Sequence, residues 1–283
     1  MARRNNRQST QDKIAATQQK RAATFRKKAL SLGTKAEDKL GDRDMGTQRK
    51  FAQAMSTRRD GLAMLRLQAV LDHLAGGLEA NALEHPLTTL TKPAQVEDLV
   101  SVAARFELDR ATIEQRALQC EAQWSVQEVA AECNRPESTI GELYSALALA
   151  TPNEMVALVR QLHDIIENSG CINWDAEELL RLRGEVRLRK IPGFVPTPPD
   201  LVDELRYHLN LQLSDRILDP AAGDGAILGR VREFFPDIPL HCCEINSDLN
   251  RILRLAGFEP ECRDYFEWEP REGQRPNNVS STV

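Results

Sequence analysis

Residues 217–229 read Ile-Leu-Asp-Pro-Ala-Ala-Gly-Asp-Gly-Ala-Ile-Leu-Gly, and this run narrows the fold more than any other. An apolar pair, Ile217 and Leu218, ends in an acid, Asp219. A glycine turn follows through Gly223, Asp224 and Gly225. An amphipathic helix then starts at Ala226 with Ile227, Leu228 and Val231 as its apolar positions. Strand, tight loop and helix in this order open a nucleotide-binding α/β unit. Glycines at 223 and 225 let the backbone turn sharply and approach a ligand where a Cβ would clash. The free N–H groups at the helix start favour an anion. Asp219, at the strand's C-terminal end, can accept from an ammonium. A ligand carrying both charges, such as an amino acid, suits the loop better than a pyrophosphate does.

The following residues extend the pattern. Pro236–Pro239 predicts a turn, and Leu240–Ile245 a second strand closed by Glu244. That acid falls about 20 residues after the glycine turn, where such folds grip ribose hydroxyls. Asn246–Leu255 predicts a helix, and Phe258–Phe266 a short third strand ending in Asp264 and aromatics. An acid there can accept from an exocyclic amine, and an aromatic can cover a purine. Upstream, Phe194-Val195-Pro196-Thr197-Pro198-Pro199 leads into a helix, with Thr197 placed as its N-cap and Pro198 at its first position.

Taken together, residues 191–270 resemble the S-adenosylmethionine-dependent DNA adenine-N6 methyltransferases, in the non-permuted order. The resemblance rests on the Phe-x-Pro-Thr-Pro-Pro segment, the Asp219-Pro-Ala-Ala-Gly-Asp-Gly loop, Glu244-Ile245-Asn246, and Arg263-Asp264-Tyr265-Phe266. It implies that Thr197 and Asp219 hold the methionine end of S-adenosylmethionine, bordered by Gly223 and Gly225. Glu244 holds the ribose, and Asp264 with Phe266 the adenine. Phe194, Ala221 and Ile245 belong to the same cofactor site. The resemblance also implies a sheet with the first strand central, the second and third to one side and the rest to the other. The family's catalytic loop, Asp/Asn/Ser-Pro-Pro-Tyr/Phe/Trp, holds the flipped base. No such tetrapeptide follows Phe266, so no catalytic residue is assigned. The polar Asn277-Asn278-Val279-Ser280-Ser281-Thr282 run stands where an apolar fourth strand is expected, which suggests a reading frame shortened or shifted near Arg275. The strand Ile217–Asp219 is then expected to lose a neighbour and become an edge prone to association.

The charge balance is uneven. Net charge is −5, yet residues 1–60 hold 16 Lys/Arg against 6 Asp/Glu, leaving an acidic remainder. Residues 1–45 form a basic segment poor in large apolar residues, expected to be disordered or loosely helical. Arg3, Arg4, Arg7, Lys27 and Lys28 are its candidate phosphate contacts, the alternative being a solvated tail.

Residues 46–190 form a helical region. A long helix is expected at 46–80, ended by Gly76-Gly77, and further helices at 93–105 (capped by Thr91), 110–122 (by Asp109), 152–168 (by Thr151) and 175–190 (by Asp175). A candidate helix-turn-helix, or a plain αα-hairpin, covers 125–149. No apolar run is long enough for a membrane helix. The six cysteines show no Cys-x-x-Cys pair and the histidines do not cluster, which suggests buried thiols in a reducing cytoplasm and no metal.

The expected architecture is therefore α plus α/β: a helical N-terminal region followed, over residues 191–283, by a partial Rossmann-like methyltransferase domain. The function expected is that of a DNA adenine-N6 methyltransferase, inactive alone. Two alternatives stand beside it: a phage- or plasmid-borne DNA-binding or interaction protein with a remnant methyltransferase domain, and a cofactor-binding part completed by a partner chain. A homo-oligomer fits the exposed edge.

Overall fold

The structure, a computed structural model, describes residues 2–105, 137–149, 152–189, 191–209, 211–261, 264–269 and 278–279. The described chain is mainly helical with one small parallel sheet. It divides into two compact units: Met1–Arg43 with Ser56–Ile172, and Asp44–Met55 with Asn173–Val283. Both the expected 110–122 helix and the first half of the candidate helix-turn-helix lie outside the described residues.

The first unit is helical. It holds α1 (Ala2–Leu40), most of α2 (Gln48–Glu79), α3 (Pro93–Arg105), α4 (Glu137–Leu147) and α5 (Pro152–Asn168). The basic N-terminal segment, expected to be disordered or loosely helical, contains a 39-residue helix. Ala22, Phe25, Ala29, Leu32 and Ala36 recur three or four residues apart and are buried. The first four members of that stripe pack in one cluster with Val70, Leu71 and Leu74 of α2 and Leu99 of α3. Three of its five members are alanine, so mean hydropathy hides it. Gly76 and Gly77 do not end α2, which continues through to Glu79. A Cβ at Gly77 would lie 2.8 Å from Leu83, so this glycine admits a close approach. At α3 the cap is Gln95, whose Oε1 accepts from the Thr91 and Lys92 amides, both at 3.0 Å.

The second unit holds the start of α2, then α6 (Trp174–Arg189), α7 (Pro199–Leu209), β1 (Ile217–Asp219), α8 (Ala226–Phe234), β2 (Leu240–Cys242), α9 (Ser247–Leu255) and β3 (Asn278–Val279). The N-terminus of α6 is capped by Asn173, which accepts from Ala176 N at 3.0 Å, rather than by Asp175. Likewise α7 begins at Pro199, one residue beyond the expected start. Gly184 of α6 has no room for a Cβ, because the Phe51 ring occupies the space.

Strand order is β2-β1-β3, all parallel, pairing Ile217 with Leu240 and Asp219 with Cys242 on one side and Ile217 with Asn278 on the other. Glu261 forms a further parallel bridge to Cys243, outside β2. All three β1 residues are buried, as a strand enclosed in a parallel sheet requires.

Two strand expectations change. Of the third strand, expected over 258–266, the described residues contribute the Glu261 bridge alone, and Tyr265–Glu267 is a 3₁₀ turn instead. The edge expected at Ile217–Asp219 does not exist, because Asn278 and Val279 pair with it. Ladder bonds come from the main chain, so a polar segment can complete them. This removes the reason for association through that edge.

Candidate functional site

The site-bearing residues converge at the C-terminal ends of β1 and β2. Asp219 ends β1 and is 1% exposed. Its Oδ1 accepts from Ala221 N at 3.2 Å, while Oδ2 is buried without a hydrogen-bond partner. Burial pushes the carboxyl up to about 6. The Ala221 N–H pulls the other way, and the charge of Glu244 adds to the rise.

The turn after β1 needs its glycines. Gly223 and Gly225 have φ of +57° and +79°, the left-handed region that side chains disfavour. Each is also crowded. A Cβ on Gly223 would lie 3.0 Å from the Phe194 ring, and one on Gly225 2.9 Å from Leu253. Phe194 therefore lies against the glycine turn. Gly225 is the N-cap of α8 and supplies no side-chain cap, so the first-turn N–H groups of this helix are not met by one.

Glu244 ties the two strand ends together. Its Oε2 accepts from Gly223 N and its Oε1 from Asn246 N, both at 2.8 Å. A carboxylate offers about four lone-pair directions, so one on each oxygen remains. Asn246 caps α9, accepting from Asp248 N at 2.9 Å and Leu249 N at 3.2 Å.

The remaining expected residues surround this centre less closely. Ala221 is exposed and Thr197 half-buried. Ile245 and Phe266 are 68% and 91% exposed. Asp264 is exposed and accepts from Phe266 N at 3.0 Å, which sets the 3₁₀ turn. Of the basic candidates, Lys27 is exposed and Lys28 half-buried on α1. Arg3, Arg4 and Arg7 are on the same helix, their side chains outside the described set.

Two supporting residues were not expected. Asp224 is buried, its carboxylate 3.6 Å from Arg187 and its carbonyl accepting from Arg183 at 3.0 Å. Asn250, also buried, donates to the Glu244 carbonyl at 3.3 Å. The signal for Asp224 was an acid between two turn glycines. Asn250 gave the sharper one, a polar residue on the apolar stripe of α9. Buried Cys242, its thiol pushed up to about 12 by burial, is a poor nucleophile or metal ligand. Among the described residues no group of His, Cys, Asp and Glu could hold a metal, and no helix is long and apolar enough to cross a membrane.

No protein-family model matches this chain, and no curated protein or solved structure matches it either.

Proposed function

We propose that the second unit is the cofactor-binding part of a Rossmann-like S-adenosylmethionine-dependent methyltransferase of the DNA adenine-N6 type. We propose further that a polypeptide of these 283 residues binds the cofactor without transferring its methyl. The observation that carries this is Asp219 Oδ2, buried and unpartnered at the end of the central strand. An unsatisfied buried carboxylate oxygen is costly and calls for an explanation. A ligand ammonium would satisfy it and favour the charged form. The same ligand's carboxylate would meet the uncapped N–H groups of α8 across the Gly223–Gly225 turn. Strand order adds support: β1 is central, with β2 and Glu261 on one side and β3 on the other, as the resemblance implies.

Each residue then has a role. Asp219 binds the amino group, and the Phe194 ring walls the turn. Glu244, fixed by two main-chain donors, accepts from the ribose hydroxyls with its remaining lone pairs. Asp264 and Phe266 hold and cover the adenine. Bound there, the cofactor supplies a methyl on a sulfonium, open to attack by an amine. No Asp/Asn/Ser-Pro-Pro-aromatic sequence follows Phe266 within residues 267–283, so nothing among them positions the acceptor amine. A second reading, a DNA-binding protein with a remnant domain, is favoured by the charge of α1 alone.

Calorimetry at pH 7.5 tests the proposal. Wild type is expected to bind S-adenosylmethionine. Asp219→Asn and Glu244→Gln should each bind at least tenfold more weakly, with no label transferred to adenine-containing DNA. A wild type that binds no cofactor, or an Asp219→Asn variant that binds equally well, overturns the assignment. DNA retardation without cofactor binding would favour the second reading.

A further inference from the structure

The outward face of α1 carries a pattern that the cofactor site does not use. With the stripe from Ala22 to Ala36 turned inward, 100° per residue fixes what points away from the core. Lys13, Lys20 and Lys27 repeat every seven residues along that outer face, and Lys28 and Lys35 form a second row beside them. Four of the five are exposed and Lys28 is half-buried.

The other described cations of α1 are engaged. Arg21 donates to the Thr88 and Leu90 carbonyls, Arg26 pairs with Asp72 and Glu79, and Lys39 pairs with Asp60 at 3.2 Å. The five lysines form no ion pair with any described residue. Asp38 is the one acid on their face, past Lys35 at its end. From Lys13 to Lys35 the rows rise 22 residue steps, about 33 Å at 1.5 Å per step.

We propose that this lysine face of α1 binds the phosphate backbone of double-stranded DNA, one duplex turn in length, without reading sequence. The choice of DNA rests on the functional reading above. Charge and length carry the rest. A duplex presents about one negative charge per 1.7 Å, and one turn is about 34–36 Å. The residues between the lysines are small or hydroxylic: Thr17, Thr24 and Ser31. Thr17 and Thr24 return their hydroxyls to the helix backbone at 2.8 and 2.9 Å. No aromatic lies on this face to stack an unpaired base, which disfavours single strands. The apolar stripe of the helix is inside the core rather than free to enter a bilayer, which disfavours a lipid surface.

The test is fluorescence anisotropy of the full chain on a 20-base-pair DNA duplex across a salt series, without cofactor. If all five lysines neutralise phosphates, log affinity falls with log salt at a slope near −4.5, roughly a 500-fold loss between 50 and 200 mM. Changing all five (Lys13→Gln, Lys20→Gln, Lys27→Gln, Lys28→Gln and Lys35→Gln) should reduce the steepness by about 4 to 5, whereas arginine at all five should keep it. The pair Lys20→Gln and Lys27→Gln, the milder change to the helix, should reduce it by about 2. Lys50→Gln with Lys92→Gln, both outside α1, should leave it unchanged. An unchanged slope in the fivefold variant overturns the proposal. So does an equal loss per charge off the face, or tighter binding to duplex RNA or anionic vesicles. Because calorimetry of the cofactor contains no DNA, failure there and failure here are separate results.

Discussion

Among the described residues of the helical unit every fully enclosed residue is apolar: Phe25, Leu71, Leu74, Leu99, Leu147 and Leu162, among others, lie at 0% exposure in one continuous cluster. In the second unit the apolar residues fall into several small clusters, and Asp219, Asp224, Glu244 and Asn250 are buried among or beside them. No other polar residue with a described side chain is as deeply enclosed. A buried charge must be compensated by hydrogen bonds or by an opposite charge. Glu244 has two main-chain donors and Asp224 has Arg187, whereas one Asp219 oxygen has nothing. The helical unit has a continuous apolar core, although Gln68 Oε1 and His163 Nε2 in it are also buried without a hydrogen-bond partner. The second unit keeps a destabilising group at the end of its central strand, which is where function is expected.

The contrast can be broken most forcefully at Phe25. If α1 were an arm, as its composition suggests, Phe25→Ala would leave unfolding unchanged. Because the ring is fully buried, the variant should lose about 3–5 kcal/mol in urea unfolding.

A change at Asp219 should act in the opposite direction. Folding raises this carboxyl from 3.8 to about 6, so the folded state holds the proton more tightly. The stabilisation linked to protonation is complete below pH 3.8 and is lost as pH rises through about 6. Wild type should therefore become less stable across that window and level off above it. Asp219→Asn should lack this fall and gain about 1–2 kcal/mol at pH 7, after allowing for its own unpaired amide. It should lose cofactor at the same time. A variant less stable than wild type at pH 7 would mean that Asp219 is structural.

Gly225→Ala sharpens the comparison from the backbone side. The left-handed φ of +79° alone costs about 1–2 kcal/mol, and the contact with Leu253 adds to it. Thermal unfolding should show that loss. Gly141→Ala in α4, where a Cβ meets nothing within 4 Å, should instead gain up to about 1 kcal/mol.

Legibility in the sequence followed the same division. The β1–turn–α8 unit could be read directly, because two glycines between an apolar pair and an amphipathic helix permit few alternatives. Phe194 and Glu244 were legible by position, and they do meet the Gly223 turn. The seating of α1 in a core was not legible, because alanines at helical spacing leave almost no trace in average hydropathy. Nor was β3, since Asn278 and Val279 pair through main-chain groups that every residue has. The third strand was over-read. Apolar and aromatic residues at 258–266 suggested extension, whereas Asp264 can accept from Phe266 N, which closes the chain into a turn.

The smallest expected effect is at Asn246, which links the two kinds of region because it serves local helix structure and the buried acid together. Its side chain accepts from the Asp248 and Leu249 amides, and its own N–H meets Glu244 Oε1. Asn246→Ala keeps the main-chain bond and removes the cap, so it should cost about 1 kcal/mol. Asn246→Asp restores an acceptor and suits the positive end of α9, but it places a second carboxylate near Glu244. It should fall between wild type and Asn246→Ala at pH 7. It should approach wild type in added salt, which screens repulsion between the two acids. If both variants lose the same amount at every salt concentration, the side chain acts by packing, and the link between the helix cap and Glu244 is absent.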